Sequence, residues 1–306
     1  MTSLNPPSTL TQHLPAVAVI MTAYNAESTI YKSLKSALLQ DYAGPLKIIV
    51  VNDGSTDNTQ GVIESLGSRL IEVYSTGRLG RVRALNFALD AAKGSEFIAN
   101  LDSDDFMLPN RISKQVEALV ADPSLGVVGS AYFEVHLSNS SDAASIFEVS
   151  PPTSDENMRR AMASGFPICH SCATYRRQVA VELGGFNSLL KARIDFDLWL
   201  RMAIAGYRVV NLSDTLGIHI KRTGTFFDKQ YSTIRSARQM ARLNYIAAGR
   251  LTLGIQGYFT ATARLGYSLL RSQSVKRTPR FSKCIDPSSD QYRAISETAK
   301  AGMVKA

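Results

Sequence analysis

Glu96-Phe97-Ile98-Ala99-Asn100-Leu101-Asp102-Ser103-Asp104-Asp105 starts as an apolar run and finishes in three acids. The run reads as a strand leaving the core. Three clustered carboxylates would repel one another and gain nothing from packing, which points to a bound divalent cation. A second acidic turn, Val51-Asn52-Asp53-Gly54-Ser55-Thr56-Asp57, follows another strand-like run, Leu46-Lys47-Ile48-Ile49-Val50. Ligands in open α/β sheets collect at the carboxyl ends of strands, so both turns are expected to face one pocket. The plainer reading of such acids is helix caps and solvated turns.

Outward from these turns the same rhythm recurs. Val17 to Met21 is apolar and ends in Thr22-Ala23-Tyr24-Asn25, after which Ile30, Leu34, Ala37 and Leu38 fall at helical spacing. Lys47 to Val51 with Thr56 to Leu66, Leu70 to Tyr74 with Val82 to Ala92, and Phe97 to Leu101 with Arg111 to Val120 repeat it. Four strand-helix units in a row predict an α/β fold with a doubly wound, mostly parallel central sheet. Gly126 to Val135 reads as a further strand, and the Ser-, Asp- and Pro-rich stretch 137–155 as a surface loop. Then come a strand over Ile168 to Thr174, a helix over Arg177 to Leu183 stopped by Gly184-Gly185, and a helix over Phe196 to Ala205 stopped by Gly206.

C-terminal helices are expected over Asp228 to Ala248 and Leu251 to Leu270. The first sets Ile234, Ala237, Ala241, Tyr245 and Ala248 beside an arginine face of Arg235, Arg238 and Arg242. The second reaches a bilayer-spanning length of about 20 residues, but Gln256 and Arg264 argue for a helix on the core or in an interface, because a mid-bilayer Arg costs at least about 3 kcal/mol. The organisation expected is a flexible lead-in over 1–15, a catalytic domain over 16–225, an amphipathic helical extension over 226–272 and a mobile basic tail over 273–306. Within the domain, 16–125 would bind a nucleotide and 126–225 an acceptor.

Charge divides unevenly. Residues 1–190 hold 14 basic and 19 acidic groups, residues 191–306 hold 20 and 7, so the front is acidic and the rear basic. The rear suits an anionic surface such as a membrane. No recognition-helix or aromatic stacking motif supports nucleic acid. Three cysteines are too few for a disulfide framework, which fits a reducing cytoplasm, and Cys169-His170-Ser171-Cys172 has half a zinc site without a second pair. Met1 to Pro15 lacks the basic start and apolar stretch of a signal peptide.

The first turn contains no glycine, which argues against a dinucleotide site, and no P-loop is present. Its hydroxyls, aromatic ring and amide suit a nucleobase and ribose, with Asp53 able to accept from a base N–H. Asp102 and Asp104 offer hard oxygen ligands for Mg²⁺ or Mn²⁺ across a diphosphate.

Taken in order, these motifs resemble those of the family 2 glycosyltransferases, which have the A-type nucleotide-diphospho-sugar transferase fold. The match runs from Val17 to about Thr223. It includes the two turns, Gly80 through Asn86 into Gly94, Leu101 to Asp105 with Pro109, Gly184-Gly185-Phe186 and Asp195-Phe196-Asp197-Leu198-Trp199-Leu200-Arg201. The resemblance implies an inverting transfer of a sugar from a nucleotide diphosphate-sugar to an acceptor hydroxyl, in cell-surface polysaccharide or glycolipid synthesis. It implies Thr22, Ala23, Tyr24, Asn25, Glu27, Asp53, Arg83, Asp102 and Ser103 as donor contacts. It also implies Asp104 with Asp102 as ligands of Mn²⁺ or Mg²⁺, and Asp195 as the general base. A partly buried carboxylate suits this role, and Trp199 would supply an apolar wall. Asp197 is expected to pair with Arg201 on the helix surface.

Two positions depart from the family's pattern. Ile194 stands where an acid usually precedes the base, which leaves open a nucleotide-sugar-binding module that turns nothing over. Leu85 stands where an Arg is common, with Arg81 and Arg83 upstream. His219, followed by Lys221 and Arg222, falls where relatives close basic groups over the donor. The enzyme is expected in the cytoplasm, at most peripheral on the inner face of a membrane, beside a glycan or lipid-linked acceptor.

Overall fold

The computed structural model describes residues 13–137, 144–165, 167–222, 234–270 and 281–300. Most of the expected lead-in, the end of the catalytic domain near 225, the start of the helix placed from Asp228 and parts of the basic tail lie outside the described residues.

Four parallel strands form the front of the sheet: β1 (Val17–Ala23), β2 (Leu46–Asp53), β3 (Ile71–Thr76) and β4 (Phe97–Asn100), in the order β3-β2-β1-β4. Between them run α1 (Ile30–Leu38), α2 (Thr59–Glu64) and α3 (Arg81–Ala91), and α4 (Arg111–Ala121) follows β4. Strands buried on both faces read as unbroken Val/Ile runs, and β1 and β2 do. Val17, Val19 and Met21 pack with Ile30, Leu34, Ile63, Ile112 and Val116 of α1, α2 and α4. Ala18 and Ile20 face the other way, onto Ala84, Leu85 and Ala88 of α3. The chain moves outward from β1 through β2 to β3, then crosses back to lay β4 on the far side of β1. That reversal opens a crevice beyond the carboxyl ends of β1 and β4. The Thr22–Asn25 turn and the acid-rich turn Asp102–Asp105 both emerge there.

The rear of the sheet is mixed. It comprises β5 (Phe106–Met107), β6 (Leu125–Leu137), β7 (Ser145–Val149), β8 (Thr174–Arg176), β9 (Arg208–Arg222) and β10 (Ser282–Cys284). β8 joins β4 antiparallel, β6 joins β8 antiparallel, and β9 runs parallel to β6 for most of its length. Around them lie α5 (Asp155–Met162), α6 (Arg177–Glu182), α7 (Ile194–Ile204), α8 (Ile234–Arg250), α9 (Gly254–Leu270) and α10 (Asp290–Lys300). Leu243, Ala247 and Leu251 bury against the same cluster as α3, α6 and α7, so the helical extension is docked on the catalytic domain.

Four expectations change here. The stretch 137–155 is not all loop, because Ser145–Val149 pairs antiparallel with β6 and buries Ile146 and Val149. Ile168 to Thr174 is not one strand: His170–Cys172 turn in a 3-10 helix, and only Thr174–Arg176 joins the sheet. Polar Ser171 is drawn out of strand geometry toward the acid-rich turn. The 15-residue β9 went unread because Asn211, Ser213, Asp214, Thr215, His219 and Lys221 dilute its apolar pattern. The basic tail is structured at 281–300, where β10 pairs with β7 and Ile285, Ile295 and Ala299 bury against Phe133, Val135 and Ile146.

Glu134 links β6 to β9. Its carboxylate, 3 % exposed, lies 2.6 Å from His136 Nε2 and accepts from Lys221 Nζ at 2.8 Å. Burial works to raise its pKa, but the His136 hydrogen bond and the Lys221 and His219 charges bring it down to about 2 from the ordinary 4.5. A depressed carboxyl contributes stability above its unfolded pKa and loses it as pH falls through the folded one. Glu134→Gln is therefore expected to be less stable than the parent by about 3 kcal/mol at pH 6, a gap closing between about pH 4.5 and 2. Chemical denaturation across that range checks this, and a pH-independent gap would contradict it.

Candidate active site

The first two turns are clasped together by their own polar groups. Asn25, with φ of 50°, accepts at Oδ1 from the Thr56 N–H at 2.8 Å and donates its own N–H to Ser55 Oγ at 3.0 Å. Ala26 N–H donates to Thr59 Oγ1, Glu27 N–H to Asp57, and Asn58 N–H to the Glu27 carboxylate. Asn25 and Glu27, expected as donor contacts, thus spend much of their hydrogen bonding on the clasp. Thr22 is half-buried and Ala23 buried at the end of β1, while Tyr24 projects 43 % exposed. The Arg78 guanidinium lies over the Tyr24 ring, 3.0 Å from its centroid. Gly54 makes room for this: its φ is +72°, and a Cβ there would sit 2.9 Å from the Arg78 nitrogen.

Asp53 is 4 % exposed and accepts from Thr76 Oγ1 at 3.0 Å and from the N–H groups of Leu79 and Gly80. Gly80 is the residue before α3, so Asp53 holds the start of that helix against β2. Arg81, one residue on, donates from Nη2 to Asp102 Oδ1 at 2.7 Å. Arg83 is exposed. The arginine meeting the acid-rich turn is therefore Arg81 rather than Arg83, because the α3 turn aims position 81 across the crevice and position 83 outward.

The three acids of that turn differ in work. Asp105 is buried and structural: it accepts from Ser171 Oγ at 2.5 Å, from the Ile220 N–H at 2.7 Å, and faces His219 Nδ1 at 2.9 Å. Burial opposes a charge on His219, but Asp105 outweighs it and raises its pKa to about 9. Asp102 is pulled down although burial opposes this, with Arg81 the principal opposing charge. Asp104 is pushed up to about 7 by burial and by its neighbours Asp105 and Asp102, against the weaker pull of Arg222 and His219. Ser103 sits half-buried between the two.

Asp195 begins α7, 7 % exposed, its Oδ1 accepting from the Phe196 N–H at 2.9 Å. Its other oxygen lies 3.5 Å from His170 Nδ1, and His170 Nε2 lies 3.9 Å from Asp102 Oδ1. One imidazole thus stands between the base position and the acid-rich turn. Trp199 packs edge-on to Tyr175 at 5.0 Å within the core cluster, so the expected apolar wall is a core contact. Ile194 is buried in the same cluster, so an apolar side chain fits that position. Asp197 pairs with Arg201 as expected, and Arg201 also donates to the carbonyls of Leu183 and Gly185. Asn86 exchanges two 2.8 Å hydrogen bonds with the Phe186 backbone, and a Cβ on Gly185 would meet its Oδ1 at 2.6 Å.

With this geometry in hand, similarity to known proteins decides the family. The sequence profile of glycosyl transferase family 2 matches residues 18–184, over half of the chain. EpsE of Bacillus subtilis (strain 168) is 31 % identical over 252 residues, spanning 80 % of this chain and 86 % of EpsE. This chain belongs to glycosyl transferase family 2.

Among other relatives of the glycosyltransferase, the amylovoran biosynthesis glycosyltransferase AmsE of Erwinia amylovora is 24 % identical, spanning 84 % of this chain and 92 % of AmsE. Of solved structures, the Pyrobaculum calidifontis mannosyltransferase PcManGT with GDP-Man and Mn²⁺ aligns at TM-score 0.59 and 20 % identity, over 95 % of this chain and 86 % of that one. Staphylococcus aureus TarS 1–349 with UDP-GlcNAc aligns at 0.58 and 21 %, over 84 % and 75 %. These likenesses agree on the fold.

Sequence reading of the glycosyltransferase missed Arg78, His170 and Arg111. The first two sit in motifs whose neighbours were noticed, and Arg111 carried no local signal. The split among the acids predicts opposite responses. Asp105→Asn breaks a buried ion pair and is expected to cost about 3–5 kcal/mol of stability. Asp104→Asn relieves a crowded carboxylate and should leave the melting temperature at pH 8 unchanged or higher. Thermal unfolding of both variants checks this; equal losses would contradict it.

Proposed function

We propose that this family 2 glycosyltransferase moves a sugar from a nucleotide diphosphate-sugar to an acceptor hydroxyl with inversion, aided by Mn²⁺ or Mg²⁺. The observation that carries the reading is the approach of two separate elements to one residue: Asp195 from α7 and Asp102 after β4 both face His170 across the switch-point crevice. Tyr24 with Arg78 offers an open aromatic surface to a nucleobase, beside Thr22, Ala23 and Asp53. Arg81 and the exposed Arg83 are the candidate diphosphate contacts.

Asp102 and Asp104 would hold the metal. Among the described residues no three His, Cys, Asp or Glu side chains converge as a complete site. The donor set nevertheless fits Mg²⁺ or Mn²⁺, which take one or two carboxylates and fill the rest with substrate phosphates and water. Burial first, and then the neighbouring Asp105 and Asp102, push Asp104 up to about 7, and a bound cation would favour its charged form. Bound there, the metal would neutralise charge on the departing diphosphate. The name of PcManGT includes Mn²⁺ with its donor, in keeping with this.

In the reaction, Asp195 takes the proton of the acceptor hydroxyl as that oxygen forms its bond to the anomeric carbon. The bond to the diphosphate breaks on the opposite face, its electron pair leaves with the phosphate, and the configuration inverts. Asp195→Asn keeps the shape and removes the proton acceptor, so kcat should fall by about 10²–10⁴-fold with little change in donor KM. Steady-state transfer assays check this, and parental turnover by the variant would refute the role.

For the acceptor we favour a glycan or lipid-linked precursor at the inner face of a membrane. A relative 42 % identical over 101 residues, spanning 33 % of this chain and 39 % of its own length, is the Escherichia coli UDP-Glc:alpha-D-GlcNAc-diphosphoundecaprenol beta-1,3-glucosyltransferase WfaP. No helix of the described residues is long and apolar enough to cross a membrane. On α9, however, Ile255 and Phe259 stand 86 % and 77 % exposed one turn apart, with Tyr258 beside them. Arg238, Arg242 and Arg250 are exposed on α8. Arg242 and Arg250 line one hollow with Tyr258, and exposed apolar side chains with arginines nearby suit the surface of an anionic bilayer. The double variant Ile255→Glu/Phe259→Glu should lose about tenfold or more in binding to phosphatidylglycerol vesicles while unfolding at the parental temperature. Vesicle co-sedimentation checks this.

A further inference from the structure

We infer that His170 is a positioning residue: it fixes the Asp195 carboxylate relative to the Asp102–Asp104 turn. The inference rests on the reading above, in which Asp195 is the base. His170 lies outside the motifs that carried the resemblance, and its sequence context suggested only half of a zinc site.

The ring is held firmly. Its backbone lies in the 3-10 turn His170–Cys172, whose neighbouring carbonyls, Ser171 O and Ala173 O, both accept from the buried Arg111 guanidinium. Ser171 Oγ bonds Asp105 and accepts the Asp102 N–H at 3.1 Å, so the turn carrying the ring and the turn carrying the acids move as one piece. Asn100 Nδ2 stands 3.3 Å from His170 Nδ1, with Asn100 itself fixed by the Tyr175 hydroxyl at 3.2 Å. Phe186 flanks the ring with its centroid 6.3 Å away. The residue is 8 % exposed.

A histidine kept only for packing needs one polar partner, and Asn100 provides it. Here each ring nitrogen also faces a carboxylate from a different element, Asp195 of α7 at 3.5 Å and Asp102 after β4 at 3.9 Å. Among the described residues Asp195 accepts its one hydrogen bond from its own neighbour, Phe196, and faces no cation or polar side chain but His170. Without the ring, nothing among the described residues across the crevice sets where that carboxylate points. Both contacts are longer than a good hydrogen bond, as is common before substrate tightens such a site. Misplacing a reacting group by about 1 Å can cost on the order of 10² in rate, so a spacer of fixed width has a large effect without touching the sugar.

Asn and Gln separate the two ring contacts. An Asn side-chain nitrogen reaches the place of Nδ1 and a Gln nitrogen the place of Nε2. Nucleoside diphosphate release from UDP-glucose, UDP-N-acetylglucosamine and GDP-mannose with Mn²⁺ gives kcat and KM for parent, His170→Ala, His170→Asn and His170→Gln, alongside melting temperatures. For whichever donor the parent uses, His170→Ala should lose about 30–100-fold in kcat with donor KM within about threefold. His170→Asn should recover most of that loss and His170→Gln less. Parental kcat in His170→Ala, or kcat losses that simply follow melting temperature across the variants, would overturn the inference. A second readout needs no turnover: in ¹⁵N-histidine spectra the His170 ring resonances should shift in Asp195→Asn. Unchanged resonances would refute the contact even if the parent releases no nucleotide. A parent inactive on every donor, with the shift present, would instead count against the transfer reading alone.

Discussion

The Arg111 guanidinium, fully buried under the site, is the constraint on which the rest of the structure turns. It donates to the carbonyls of Asn100, Ser171 and Ala173 and, through Nε, to Gln115 Oε1. Gln115 in turn donates to the carbonyls of Val128 and Cys172. Apart from that of Val128 in β6, these carbonyls lie where β4 ends and in the 3-10 turn that leads into β8. A buried charge is costly unless its donors are satisfied. Burial draws Arg111 down to about 10, still charged at neutral pH. Two residues of α4 thus let the sheet change from parallel to antiparallel pairing and leave a rigid rim where it does so.

That rim sorts the acids by task. Asp105 sits below it and is neutralised by His219 and backbone N–H groups, Asp102 is drawn toward Arg81, and Asp104 has the least compensation of the three. A gradient of compensation across four residues turns what would be a repulsive cluster into two ion pairs, Asp105 with His219 and Asp102 with Arg81, and one carboxyl pushed up by burial and its neighbours.

The front of the sheet was legible because β1, β2 and β4 are buried on both faces and each writes its pattern without interruption. Val17 to Met21 and Ile48 to Val51 could hardly be anything else, and Asp102, Asp104 and Asp195 fell at strand and helix ends where ligand chemistry belongs. The rear was legible only in part: β6, buried almost throughout, reads as a strand, whereas β7, β8 and β9 borrow their order from partners distant in sequence. β9 alternates Gly217, His219 and Lys221 with Ile218 and Ile220, and its pairing with β6 is what makes it a strand. The choice between Arg81 and Arg83 was open in the sequence because a helix face is fixed only once the helix start is known, and that start is held by Asp53 from another strand. His170 was hidden by its cysteine neighbours, whose chemistry drew attention to sulfur rather than to the ring.

The seating of β10 against β7 has a consequence for anyone shortening the chain. Three residues, Ser282 to Cys284, pair with the outer side of β7 and form a short edge strand, and the segment behind them covers Phe133 and Ile146. Removing this piece would bare a hydrophobic margin of the kind that zips onto its own duplicates. The basic C-terminus therefore guards solubility as much as it adds charge, and a trimmed enzyme would clump before it lost its chemistry.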